Sequence, residues 1–240
     1  MSNLSALYRL LLPETGMHME RTGTGAYFHH EKYPWPGMWV PECPVTGEAL
    51  TADLPGICPP GLPVCYLLLP ASLSRLPVLR EQGWFPVKRW MGMYLDVLPG
   101  EMPEGSHFAV RGIKKEELKE WVDMTNLGLY GGKKVLPYPL VERLYRASQV
   151  RIFAGFSQGN MVAGVLIFDA GDSRGVYFTS VLPDHRGKGY GRILMHVALH
   201  GTDGSEVPVV LHSTEMGEGL YRKCGFVPVE ALFIFARRTQ

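Results

Sequence analysis

The segment Val181-Leu182-Pro183-Asp184-His185-Arg186-Gly187-Lys188-Gly189-Tyr190-Gly191 constrains this 240-residue chain more than any other. It joins a strand-like run over 175–182, ended by Pro183, to a run over 189–200 with Ile193, Leu194, Val197 and Ala198 at helical spacing. Alternating glycines let successive backbone N–H groups turn toward one point, and a helix N-terminus adds about half a positive charge there. Such a point binds phosphate. Arg186 and Lys188 add charge that suits a pyrophosphate better than a single phosphate. Two other phosphate loops are excluded by residue identity. The pattern G-x-x-x-x-G-K must be followed by Ser or Thr, where Gly189 stands, and G-x-G-x-x-G requires glycine where Leu194 stands.

The flanking pattern places this loop late in an α+β (mixed α/β) domain. Strands are expected over 108–113, 150–157, 161–169 and 207–213, and helices over 114–126, with apolar Leu118, Trp121 and Val122, and over 138–147. Gln158-Gly159-Asn160 reads as a hairpin connection because Gly and Asn tolerate positive φ. The first hundred residues differ. Tyr33-Pro34-Trp35-Pro36-Gly37 and Pro55-Gly56-Ile57-Cys58-Pro59-Pro60-Gly61 forbid long helices there, so short strands and loops are expected. A Pro/Gly-rich stretch over 98–106 reads as a linker and divides the chain into domains 1–103 and 104–240.

An internal repeat connects these halves. An offset of 142 sets Gly225, Phe226, Pro228 and Val229 against Gly83, Trp84, Pro86 and Val87, sets Val209, Val210 and Leu211 against Leu67, Leu68 and Leu69, and sets Arg222 against Arg80. Because the match spans strand, helix and strand, it reads as a duplication whose first copy has diverged.

Composition removes several function classes. A net charge of +1 without a long Lys/Arg run gives no electrostatic footprint for nucleic acid or an anionic membrane. No apolar run approaches the ~18 residues of a membrane span, and Leu10-Leu11-Leu12 followed by Pro13-Glu14 lacks the order of a signal peptide, so the cytoplasm is expected. Cys43, Cys58, Cys65 and Cys224 form no C-x-x-C pair and have no His at zinc spacing; reduced, mostly buried thiols and no metal site are expected. His29-His30 reads as structural, and His185 as solvated. Oligomeric state is not legible.

The loop resembles the signature of the GNAT superfamily of acyl-CoA-dependent N-acyltransferases. There a strand ending V-x-P is followed by Q/R-x-x-G-x-G/A at a helix start, matched by Val181, Pro183, Arg186, Gly189 and Gly191. A downstream L-Y-x-x-x-G-F is matched by Leu220, Tyr221, Gly225 and Phe226. The likeness covers roughly 108–237 and, through the repeat, extends weakly to the first half. It implies a mostly antiparallel sheet flanked by helices, preceded by a smaller, diverged GNAT-like domain. Acetyl-CoA is the implied cosubstrate. Its pyrophosphate would lie on Arg186, Gly187, Lys188, Gly189, Tyr190, Gly191 and Arg192, and its pantetheine arm along the backbone of Thr179, Ser180 and Val181.

The resemblance further implies that a free amine, on a small molecule or a peptide, attacks the thioester. A backbone N–H near the strand bulge would stabilise the developing oxyanion. Tyr221 is the implied proton donor to the departing thiolate, with packing at the helix end as its structural alternative. The strands over 176–182 and 207–211 lack the carboxylate base that many members carry. His212 is the nearest titratable group, with Glu215, Glu218 or a water relay as alternatives and a structural His equally open. Thr214 stands where many members have a cofactor-contacting Asn, and its hydroxyl can still donate one hydrogen bond. The first half lacks the loop, so no second CoA is expected there. Its Tyr27, Phe28, Tyr33, Trp35 and Trp39 either fill a small core or wall an acceptor cleft. A different acyl-CoA, or a non-catalytic binder on the same fold, stays open.

Overall fold

A computed structural model of the chain describes residues 3–14, 16–58, 62, 64–98, 100, 108–201 and 207–238. The expected linker lies largely outside these residues, and the expected boundary between 103 and 104 wholly so. The chain forms two compact units, Met1–Gly92 with Val229–Gln240, and Met93–Pro228. The C-terminal segment thus groups with the first unit, a division that differs from that into 1–103 and 104–240.

The first unit holds the short helices α1 (Asn3–Arg9), α2 (Gly47–Asp53) and α3 (Pro77–Glu81). Its strands are β1 (Met17–Arg21), β2 (Gly25–His30), β3 (Met38–Pro41), β4 (Val64–Pro70) and most of β5 (Phe85–Leu95). The final strand of the chain, β11 (Val227–Arg238), pairs antiparallel with β4 from Leu232↔Pro70 to Arg238↔Val64. Proline and glycine keep the helices to seven residues or fewer, as expected. Tyr27, Phe28 and Trp39 are fully buried, so these rings of the aromatic set are core, while Tyr33 and Trp35 are half-buried. His30 is buried and accepts the Lys32 N–H at 2.9 Å, and His29 stacks on His18 at 5.1 Å. Among the described residues no group of three or more His, Cys, Asp or Glu is placed to hold a metal.

The second unit holds β6 (Phe108–Gly112), α4 (Leu118–Tyr130), α5 (Tyr138–Tyr145), β7 (Val150–Ser157), β8 (Asn160–Asp169) and β9 (Arg174–Val181). It continues with α6 (Tyr190–His200), β10 (Val209–Thr214) and α7 (Glu215–Lys223). Its strands lie in the order β10-β9-β8-β7-β6, antiparallel except for the parallel pair β10 and β9. The two-residue turn Gln158-Gly159, with φ of 52° and 81°, is one residue tighter than expected. Nearly every residue of β8 is buried, because helices cover both faces. On one face, α4 lays Leu118, Trp121, Val122 and Thr125 at helical spacing against β8 and β9. Trp121 Nε1 donates to the Phe153 carbonyl at 3.1 Å, and Gly164 leaves room for the indole where a Cβ would collide. The expected helix end at 126 is overrun to Tyr130, where Gly131 at φ 62° provides a left-handed cap.

The repeat is visible as geometry. Gly83 and Gly225 follow α3 and α7 at φ 78° and 89°. Trp84 N–H donates to Leu79 O at 2.8 Å, and Phe226 N–H to Tyr221 O at 3.0 Å, the same bond moved by 142 residues. The position of Tyr221 is therefore held by Leu79 in the first copy (221 − 142 = 79).

Candidate active site

Strands β9 and β10 are in parallel register from Arg174↔Val209 to Val176↔Leu211, and that register then ends. Directly beyond it β9 takes an extra residue against β8: Tyr177 opposes Leu166 and Ser180 opposes Gly164. This bulge holds Phe178 at φ 54°, a conformation that an aromatic side chain rarely adopts. A strained backbone at the point where two parallel strands part is a functional signature. It opens main-chain groups of β9 to an extended ligand. No local sequence signal announces it, because a Phe at positive φ opposes propensity.

The loop follows. Gly187 at φ 75° and Gly189 at φ 81° both lie in the left-handed region, and a Cβ at either would meet nothing within 4 Å, so they are glycines for conformation and front open space. Gly189 is the N-cap of α6, and the first-turn amides of a helix have no intrahelical acceptor. Gly191 serves packing instead: a Cβ there would sit 3.0 Å from Leu220 of α7. The charged side chains divide their roles. Arg186 Nε donates to Val181 O at 3.0 Å and its Nη2 to Gly128 O at 2.8 Å, so it ties the loop to β9 and to the end of α4. Lys188 and Arg192 are exposed. Tyr190 turns away, stacking on Phe108 at 4.1 Å and hydrogen bonding Ser157 at 3.2 Å, so only its backbone serves the loop. His185 is half-buried with its Nδ1 enclosed and unpartnered, rather than solvated.

Adjacent residues of β9 face opposite ways. Thr179 points to α6 and α7, donating to Met195 Sδ at 3.9 Å, with the Tyr221 hydroxyl nearby. Ser180 points to α4, its buried Oγ without a partner and packed on Gly128. Tyr221 is buried against Phe226, and burial pushes its pKa up to about 12, with the nearby Thr179 hydroxyl opposing. It therefore stays protonated at any working pH. Thr214 caps α7, its Oγ1 accepting the Gly217 N–H at 3.2 Å, which leaves its own proton available to a ligand.

His212 lies on β10 between Leu211 and Ser213, and Ser213 faces α7 beside Gly217, so alternation sends His212 to the opposite face. Its side chain is exposed, yet the protein atoms crowding it lower its pKa to about 4. Glu218 is engaged with Arg222 at 2.7 Å and 2.9 Å, whereas Glu215 is exposed in the first turn of α7. A separate cavity of about 600 Å³, lined by Phe108, Arg111, Glu117 and Phe156, has Arg111 stacked on Phe156 and paired with Glu117, and shares none of these groups.

An acyl-CoA fits this arrangement: an open strand edge, an enclosed unpartnered Ser180 hydroxyl, and a positive-φ glycine pair at a helix start. Comparison with known proteins agrees. Residues 148–228 match the Acetyltransferase (GNAT) domain. No curated protein matches in sequence. Among solved structures, the chain is similar to a GCN5-related N-acetyltransferase from Kribbella flavida, at TM-score 0.68 and 15% identity, covering 100% of this chain and 97% of that one. It is similar to a conserved protein of unknown function from Staphylococcus epidermidis, at TM-score 0.67 and 12% identity, covering 96% and 98%. It is also similar to a tandem GNAT protein from the clavulanic acid biosynthesis pathway, at TM-score 0.61 and 13% identity, covering 99% and 88%. At such identities the structures speak for the fold alone, and the domain match places the loop within it. Residues 148–228 thus match a GNAT domain, and the chain has the fold of GNAT N-acetyltransferases, a tandem GNAT protein among them.

Proposed function

We propose that the protein transfers an acetyl group from acetyl-CoA to a primary amine, by direct attack within a ternary complex in the cytoplasm. Acyl transfer from an acyl-CoA is the general reaction that the GNAT fold supports; donor and acceptor are the finer reading. The observation that carries it is the buried Tyr221 of α7 beside the stretch of β9 where β10 has left its register.

The backbone of Thr179, Ser180 and Val181 would orient the pantetheine arm, with the Val181 carbonyl partly engaged by Arg186. The amides of 187–191 and the Lys188 ammonium would hold the pyrophosphate, with Arg192 and the Thr214 hydroxyl at its margins. Bound acetyl-CoA supplies an activated thioester carbonyl. Tyr221 donates a hydrogen bond to the departing sulfur, and its elevated pKa favours donation over complete transfer of the proton. His212 stays neutral and can accept the amine proton, but a depressed pKa makes it a weak base, so the amine must arrive uncharged. Exposed Glu215 or a water chain is the alternative route. Metal and nucleic acid have no part in this reading.

That weak base also favours a second reading, an acyl-CoA-binding protein without turnover. Thiol release measured with acetyl-CoA and longer acyl-CoAs over a panel of amines separates the two. Amine-dependent release, fastest with acetyl-CoA, supports the proposal; CoA binding with no release under any amine supports the second reading.

A further inference from the structure

Among the described residues Met216 is the one exposed methionine, at 77%. It lies in the first turn of α7, directly after Glu215, and its sulfur meets the loop. Arg186 Nη1 donates to Met216 Sδ at 3.7 Å, while Nε and Nη2 of the same guanidinium donate to Val181 O and Gly128 O. A thioether is a weak acceptor, so Nη1 is the least engaged nitrogen of the side chain that anchors the loop. The other described methionines of this unit, Met93, Met124, Met161 and Met195, are buried. A single exposed apolar side chain is ordinary in itself. What sets Met216 apart is the nitrogen that its sulfur contacts.

We propose that Met216 is an oxidation site, at which a peroxide forms a sulfoxide that captures Arg186 and weakens acyl-CoA binding; the last step rests on the reading of the loop as the pyrophosphate site. In the reaction a lone pair of the Met216 sulfur attacks one oxygen of hydrogen peroxide. The S–O bond forms, the O–O bond breaks, and the proton on the transferred oxygen joins the departing hydroxide as water. The sulfur is oxidised by two electrons, and one hydrogen peroxide is reduced to one water. The product turns a weak acceptor into a strong one, because the sulfoxide oxygen carries negative charge. Held on a sulfur 3.7 Å from Nη1, that oxygen is within reach of a charge-assisted hydrogen bond. Such a bond fastens α7 to the loop and offsets part of the positive charge that Arg186 brings to it, which an incoming phosphate needs.

The test oxidises the full chain with hydrogen peroxide and reads the site of oxidation and the affinity for CoA separately. Residues 193–222 follow Arg192 and contain no Lys or Arg before Arg222, so one tryptic peptide carries both the buried Met195 and the exposed Met216. We expect this peptide to gain one oxygen on the fragments that contain Met216, with Met195 unmodified. Calorimetric titration should then show the Kd for CoA raised about tenfold at full Met216 oxidation, the scale of one hydrogen bond to a charged group, and restored by methionine sulfoxide reductases. Met216→Leu keeps every cysteine and every other methionine, and should show the same Kd before and after peroxide. Met216→Gln, a polar mimic of the sulfoxide, should reproduce the raised Kd without peroxide. Oxidation of Met195 ahead of Met216, an unchanged Kd at full Met216 oxidation, or an equal loss in peroxide-treated Met216→Leu overturns the proposal. Absence of CoA binding by the untreated chain overturns the reading of the loop, and with it the last step, whichever methionine the peptide shows oxidised.

Discussion

Tyr221→Phe removes one hydroxyl and leaves the ring in place. That ring packs edge-on against Phe226, with centroids 5.8 Å apart and planes at 69°, and lies where a Cβ on Gly217 would come within 3.1 Å of it. Since these contacts are unchanged, the fold should lose no more than about 1 kcal/mol, the worth of one neutral hydrogen bond. The kinetic effect is larger. A hydroxyl at about 12 gives up its proton to a thiolate, whose conjugate acid is near ~8.5, only at a cost of about 5 kcal/mol, so the useful interaction is a hydrogen bond to developing charge. Hydrogen bonds to charged groups are worth about 1.5–3 kcal/mol, so kcat should fall between roughly 10- and 150-fold, with affinity for acetyl-CoA almost unchanged. Thiol release at saturating amine gives kcat, and calorimetry gives the affinity. The same hydroxyl should produce no alkaline fall in rate near pH 10, because burial moves its ionisation to about 12. Unchanged kcat with intact binding, or an alkaline limb near pH 10 that Tyr221→Phe removes, would refute the reasoning.

Three further outcomes are expected. Trp121→Ala should cost about 3–5 kcal/mol in urea unfolding, because it empties the space between α4 and β8 and leaves the Phe153 carbonyl without its donor. Arg186→Ala should weaken CoA binding and lower Tm together, since its guanidinium joins the loop to Val181 and Gly128; loss of binding with Tm unchanged would instead make Arg186 a direct phosphate contact. The folded state disfavours the His212 imidazolium, so its folded pKa lies below the unfolded 6.5 and stability should fall as pH drops from about 6.5 toward 4. His212→Gln should flatten that part of a Tm against pH curve and lower turnover without removing a rate inflection near pH 6.5.

What the sequence discloses is what glycine and local periodicity encode. Gly187 and Gly189 are legible because few other residues accept their φ, and the repeat is legible because Gly83 and Gly225 end their helices alike. The pairing of β11 with β4 is not legible, since a strand's partner across more than 150 residues leaves no periodic trace. Nor is Phe178, where tertiary packing overrides propensity. Arg186 shows a third limit. Its charge suggested phosphate, yet its side chain reaches backbone carbonyls that only the fold brings near. Among the aromatics, composition could not choose between core and cleft, and complete burial of Tyr27, Phe28 and Trp39 assigns those three to the core.

The claim that the loop at the start of α6 holds the pyrophosphate of an acyl-CoA is tested most directly by calorimetric titration of CoA into the native chain and into Gly189→Asp. A Cβ at Gly189 meets nothing within 4 Å, and Asp is among the residues most tolerant of positive φ, so the variant should fold, as circular dichroism will verify. A carboxylate placed about 4 Å from a phosphate in a partly desolvated site costs about 2–4 kcal/mol, on the order of 30- to 1000-fold in Kd. We predict saturable binding of one CoA by the native chain and a loss of that size in the variant. Equal affinity in a folded Gly189→Asp protein, or no CoA binding by the native chain, would contradict the account.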